Sequence, residues 1–208
     1  MSDTHAHHST YTEAPISRAP GSHIADPAPL GLAAFGFTTF LLMTVDAGWL
    51  PDTLTPVAFG MALAYGGVAQ FAAGIWEFAK GNTFGATAFC SYGAFWVSYW
   101  WLTAHNVAEL PAADAHQAIG MYLLTWAIFT AYMSVAASRV SLAVLAVFVL
   151  LTVTFLLLAW GEFATSTGIT RTGGYVGLLT ALAAWYASFA GVTAFTFGRA
   201  VLPVGSRE

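Results

Sequence analysis

From residue 29 onward the sequence alternates long runs of almost entirely apolar positions with short polar breaks. Six such runs lie near 29–49, 57–78, 84–103, 117–137, 141–161 and 174–197. A helix rises about 1.5 Å per residue, so about 20 apolar residues cross the roughly 30 Å hydrocarbon core of a bilayer. Each run is long enough to do so. The alternating ten-residue segments of a membrane barrel are missing, and backbone groups in lipid must be satisfied within their own element. The pattern therefore predicts an all-α polytopic membrane protein with six transmembrane helices in a domain spanning residues 26–205.

Residues 1–25 follow a different pattern. They are polar, contain His5, His7 and His8, and lack the apolar stretch of a secretory signal. They are expected to form a disordered cytoplasmic tail, because no second ligand cluster follows at metal-binding spacing.

Composition narrows the function. The chain is 58% hydrophobic and 8% charged, against about 25% charged residues in soluble domains. Any activity must then reside in or between the spans, and the expected surroundings are a lipid bilayer. Neither a nucleic-acid partner, a metal nor a cofactor is expected. Cys90, the single cysteine, cannot form an intrachain disulfide. The spans lack the buried carboxylates, histidine pairs or cysteine ligands of a redox carrier or cation pump. General acid–base catalysis needs positioned titratable groups in a pocket, so an enzyme is not expected.

Charge placement gives an orientation. Arg18, Lys80, Arg139, Arg199 and Arg207 fall on one side of the predicted topology, and only Arg171 falls on the other, where Glu162 is expected to offset it. By the positive-inside rule both termini are expected in the cytoplasm. The outward loops carry Asp46, Asp52, His105, Glu109, Asp114 and His116. Glu77 and Lys80, three residues apart at the end of the second span, are expected to pair on one helix face.

Three stripes of small or polar residues mark faces that avoid lipid. On the third span Thr83, Thr87 and Ser91 recur every four residues, with Ser98 seven further on and Tyr92 beside them. Such hydroxyls either line a pore or bond back to the helix. On the second span Ala58, Ala62, Gly66, Gln70 and Gly74 form a groove with one amide at its middle. On the sixth, Gly177, Ala181, Ala184, Ser188 and Gly191 suit a helix or subunit interface.

Specific motifs add a family resemblance. The segment Asp26-Pro27-Ala28-Pro29-Leu30-Gly31-Leu32 resembles the Asn-Pro-Ala-Pro-Leu-Gly-Leu signature of the acetate uptake transporter family. It continues as Phe35-Gly36-Phe37-Thr38-Thr39. Further matches are Tyr65 to Gln70, Trp76-Glu77-Phe78, Lys80-Gly81-Asn82-Thr83-Phe84-Gly85, Ser91 to Trp96 and Phe197 to Gly205. The resemblance covers roughly residues 26–205. It implies transport of acetate and similar small carboxylates such as succinate, coupled to protons, by a homohexamer with one path per protomer. It leaves an anion channel and an ammonium- or ammonia-linked transporter as alternatives. By motif position Phe35, Tyr92 and Leu151 resemble the family's apolar constriction, although Leu150 adjoins Leu151 in the same apolar run. The substrate path is expected to involve Asp26, Pro27, Pro29, Leu30, Gly31, Thr38, Gln70, Asn82, Thr83, Thr87, Ser91 and Ala184. Asp26 stands where the signature has Asn. Its charge suits a helix start but would repel an anion at that mouth.

Overall fold

The computed structural model describes residues 24–206. Among them the chain forms six long helical rods and no named strand. The first, α1, is Ala28–Asp46 and α2 is Asp52–Lys80. Next, α3 starts as Thr83–Trp101 and runs on through Leu102–Asn106 and Val107–Glu109. The rest are α4, Ala112–Ala137, α5, Leu142–Phe163, and α6, Thr167–Phe197. Six crossings return the chain to the side from which it set out. We call that side the terminal face and the other the distal face.

Five of the rods are apolar and long enough to cross a membrane. The exception by mean hydropathy is Thr83–Trp101, whose Gly, Ser, Thr, Tyr and Trp residues dilute the apolar signal. It packs as one of the six all the same, with Ala86, Ala88, Phe89, Tyr92, Phe95 and Trp96 buried.

Several helices begin earlier than the apolar runs predict. Pro111 lets α4 start at Ala112 rather than near 117, with Asp114 in its first turn, where the helix dipole favours a negative charge. Likewise α6 starts at Thr167 rather than near 174, because its first turns are Thr, Gly and Arg. Hydropathy reports the depth of hydrocarbon, whereas a helix continues into water.

Close packing follows the small-residue stripes. An added Cβ on Gly31 would meet the Phe89 ring at 2.6 Å, and one on Gly66 would meet Thr38 at 2.7 Å. Similarly, a Cβ on Gly36 would strike Trp185 at 2.7 Å, and one on Gly191 would strike Pro29 at 2.8 Å. Thus α1 is clasped by α2, α3 and α6. The α6 stripe accordingly serves a helix contact within the chain, where the Ser188 hydroxyl donates to the Pro29 carbonyl at 2.6 Å.

Within α2, Ala62–Ala69 is π-helical, which widens the turn beside Gly66 and Gly67. After α6 the chain folds back as a strap. Val204 and Gly205 offer their carbonyls to the Ala143 and Leu142 amides at 3.1 and 3.0 Å. These amides head α5 and have no helical acceptor of their own.

Candidate functional site

Three separate cavities lie in file between the two faces of a single chain's bundle. At the distal face a vestibule of about 850 Å³ is lined by Asp46, Asp52, Tyr99, His116, Glu162 and Arg171 among others. Beneath it lies a cavity of about 30 Å³, bounded by Phe35, Thr39, Leu42, Met43, Asp46, Phe95, Trp96, Tyr99, Leu151 and Thr154 and their neighbours. Asp46 and Tyr99 line both spaces. At the terminal face a pocket of about 300 Å³ is walled by Asp26, Pro29, Leu32, Ser141, Val144, Ala187, Ala190 and the strap residues Leu202, Val204 and Ser206.

Between the small cavity and the terminal pocket the bundle is closed by apolar side chains. Register along α1 explains the order: Leu32 lines the terminal pocket, Thr39 lines the small cavity, and Phe35 stands between them. On α5, Val144 and Leu151 take the same two levels. Tyr92 of α3 meets Phe35 with ring centroids 5.6 Å apart, and its ring also touches Phe129 and Phe148 at 5.5 and 6.0 Å. Phe35, Tyr92 and Leu151 are 4%, 3% and 3% exposed, so the candidate neck is filled by packed side chains.

The Tyr92 hydroxyl faces away from this neck. It lies 2.9 Å from Thr130 Oγ1, which gives its own proton to the Trp126 carbonyl at 2.7 Å, so the phenol donates to Thr130. Tyr92 therefore turns its ring, not its hydroxyl, toward Phe35.

The opening motif divides between two faces. Pro29 lines the terminal pocket, Pro27 and Leu30 border a second recess with Trp76, and Asp26 borders both. Gly31 is where Phe89 leans on α1. Asp26 pairs with Lys80 at 2.7 Å and accepts the Ala28 amide at 3.1 Å. Lys80 thus pairs with Asp26, not with Glu77, and Asp26 presents a compensated charge to the pocket rather than a bare one. Glu77 is fully buried and accepts from Asn82 Nδ2 at 2.9 Å, while Asn82 Oδ1 caps α3 through the Gly85 amide at 3.1 Å. Asn82 therefore sits at a helix start, clear of the file.

Thr38 is fully buried against α2, where its hydroxyl approaches the Met61 carbonyl at 3.5 Å. Gln70 is 1% exposed on the packed face of α2, and neither of its amide atoms has a partner among the described residues. Thr83 is exposed and Thr87 and Ser91 are half-buried, away from the residues that line the file. Ala184 is fully buried, one turn from Ala187 of the terminal pocket. At the distal mouth His116 Nδ1 meets Glu162 Oε2 at 2.7 Å, so Glu162 pairs with His116 and not with Arg171.

Sequence reading missed the residues that converge only in three dimensions: Thr39, Asp46, Trp96, Tyr99, Phe148 and the strap. Asp46 looks like an ordinary loop charge until α1 is seen to end beside the mouths of α3 and α5.

A bundle of six rods, five of them apolar and long enough to cross a bilayer, defines a multi-pass membrane protein. The profile of the GPR1/FUN34/yaaH family matches residues 9–204, and the chain belongs to that family. The succinate-acetate/proton symporter SatP of Escherichia coli is 40% identical over 88% of this chain and 96% of its own length. Ammonia transport outward protein 2 of Saccharomyces cerevisiae is 42% identical over 85% of this chain. The chain spans about 64% of the length of that yeast relative. A solved structure, described as that of the bacterial acetate channel SatP, superposes with a TM-score of 0.81 at 40% identity, covering 88% of this chain and 99% of that one. These relatives are named as transporters and a channel, not as enzymes.

Proposed function

We propose that this protein moves acetate and similar small carboxylates across its membrane together with protons, by the cavity file of each protomer. The observation that carries the reading is the apolar packing at Phe35, Tyr92 and Leu151 between the distal vestibule and the terminal pocket. A polar solute can enter from either face, but only a small, largely dehydrated one fits between the rings. The 40% identity to a symporter for acetate and succinate supports the same substrate class.

Proton coupling has a physical motive. A bare carboxylate among apolar rings loses its hydration with no compensating partner, whereas the neutral acid loses far less. In the proposed arrangement six copies assemble in a ring and both termini face the cytoplasm. Asp26, Pro29 and Ala184 belong to the terminal end of the path.

Uptake of labelled acetate into liposomes holding the full chain, above that of protein-free liposomes and raised by an inward proton gradient, is the expected result. Native mass spectrometry of the same preparation is expected to give six times the chain mass. Protein-dependent flux that follows voltage and ignores the proton gradient would instead mark a channel, the description given to the solved relative. The yeast relative named for ammonia favours one rival substrate, and competition by ammonium but not by acetate would select it.

A further inference from the structure

We infer that Asp46 is the group that passes a proton to the incoming carboxylate. This inference rests on the reading that the passage carries small carboxylates. Asp46 and Tyr99 are the two side chains shared by the vestibule and the small cavity, so a solute leaving the first for the second passes this carboxyl.

The charged and titratable groups around it come from every neighbouring element: Asp52 at the start of α2, Tyr99 of α3, His116 of α4, Glu162 of α5 and Arg171 of α6. His116 is engaged with Glu162, and the two ion pairs among the described residues, Lys80–Asp26 and His116–Glu162, leave Asp46 outside both. An ionised Asp46 at this throat repels an anion, and a protonated one admits it.

A second observation lies on the other side of the throat. Of the buried threonines, Thr44, Thr130, Thr154, Thr180 and Thr193 each bond back to a carbonyl of their own helix, and Thr38 approaches one on α2. Thr39 breaks the pattern: it is 3% exposed, lines the small cavity, and its hydroxyl has no partner among the described residues. Two turns of α1 separate it from Asp46, on the same face. A hydroxyl that can both donate and accept suits a neutral acid group.

The exchange balances. The Asp46 O–H bond breaks as an O–H bond forms on the substrate carboxylate, which becomes the neutral acid. The negative charge passes to Asp46, and a proton from vestibule water restores its carboxyl. The cavity below has room for about one water molecule, so the acid advances only as Phe35 and Leu151 give way.

The test is acetate uptake by the full chain in liposomes at opposite potassium-diffusion potentials, measured above protein-free liposomes. Wild type is expected to carry acetate and proton together and to accumulate acetate equally at both potentials. Asp46→Asn is expected to lose most of the flux, because the bare anion must shed its hydration at the apolar rings, and what remains is expected to be the anion alone, so its accumulation ratio should differ about tenfold between potentials ~59 mV apart. Asp46→Glu should restore insensitivity to voltage, and Asp46→Ser replaces the Asn variant if that one does not fold. If Asp46→Asn stays voltage-insensitive at wild-type flux, the inference falls and transport stands. Wild-type flux that is itself voltage-sensitive overturns the inference and the proton coupling proposed above, and leaves carboxylate transport standing. A wild type that moves no carboxylate overturns the proposed function and the inference with it.

Discussion

Tyr92 separates two roles that a tyrosine usually combines. Its ring packs against Phe35, Phe129 and Phe148, while its hydroxyl donates sideways to Thr130. Tyr92→Phe should therefore keep acetate flux within about twofold. It removes one buried hydrogen bond, whose net worth is about 0.5–1.5 kcal/mol, and leaves Thr130 still bonded to Trp126. Tyr92→Ala removes the ring and should widen the neck, shifting selectivity toward larger acids in a competition series of acetate, propionate and succinate. An unchanged series would show that the neck lies elsewhere. The motif placed Phe35 and Tyr92 on neighbouring helices, but no spacing in the chain says which way a phenol points. Ion pairs were equally hidden. Glu77 and Lys80 look like partners because they are three residues apart, yet Lys80 reaches Asp26, 54 positions away in sequence.

Among the elements, the six rods were readable because hydrophobic runs report burial in lipid, and because small residues at four-residue spacing report close helix contact. What the runs hide is where a helix continues into water, as at the starts of α4 and α6. They also hide the π-helical turns of α2, which depend on a wider carbonyl spacing and not on composition. The small-residue reading makes a contrast that can be measured. Gly74 lies so close to α3 that an added Cβ would stand 2.5 Å from the Cys90 amide nitrogen, which is backbone and cannot swing aside. Gly60, on the same rod, has nothing within 4 Å of such a Cβ. Gly74→Ala should lower the thermal stability of the detergent-solubilised protein by roughly 1–3 kcal/mol, as overpacking does. Gly60→Ala should leave stability unchanged or raise it by up to about 1 kcal/mol, since alanine is the better helix former. Equal melting temperatures for the two variants would refute the packing described for α2 and α3.

For the whole molecule, the distribution of charge between the faces predicts a sidedness that the fold alone leaves open. Six crossings oblige both ends to share a face, and that face holds Lys80, Arg139 and Arg199. The distal face holds Asp46, Asp52, Glu109, Asp114 and Glu162 against Arg171. Cationic loops are retained in the cytoplasm during insertion, so the charge distribution predicts that the vestibule with Asp46 opens outward and the pocket walled by the strap opens inward. In that orientation the proposed transport into the cell begins at the Asp46 throat and ends beside the Asp26–Lys80 pair. Single cysteines report this directly. In a chain whose Cys90 is replaced by alanine, a cysteine at Asp52 should react with a membrane-impermeant maleimide added to intact cells. A cysteine at Ser206 should react only after the membrane is opened. Reversal of the two would invert the molecule and place the strap, rather than the Asp46 throat, at the entrance.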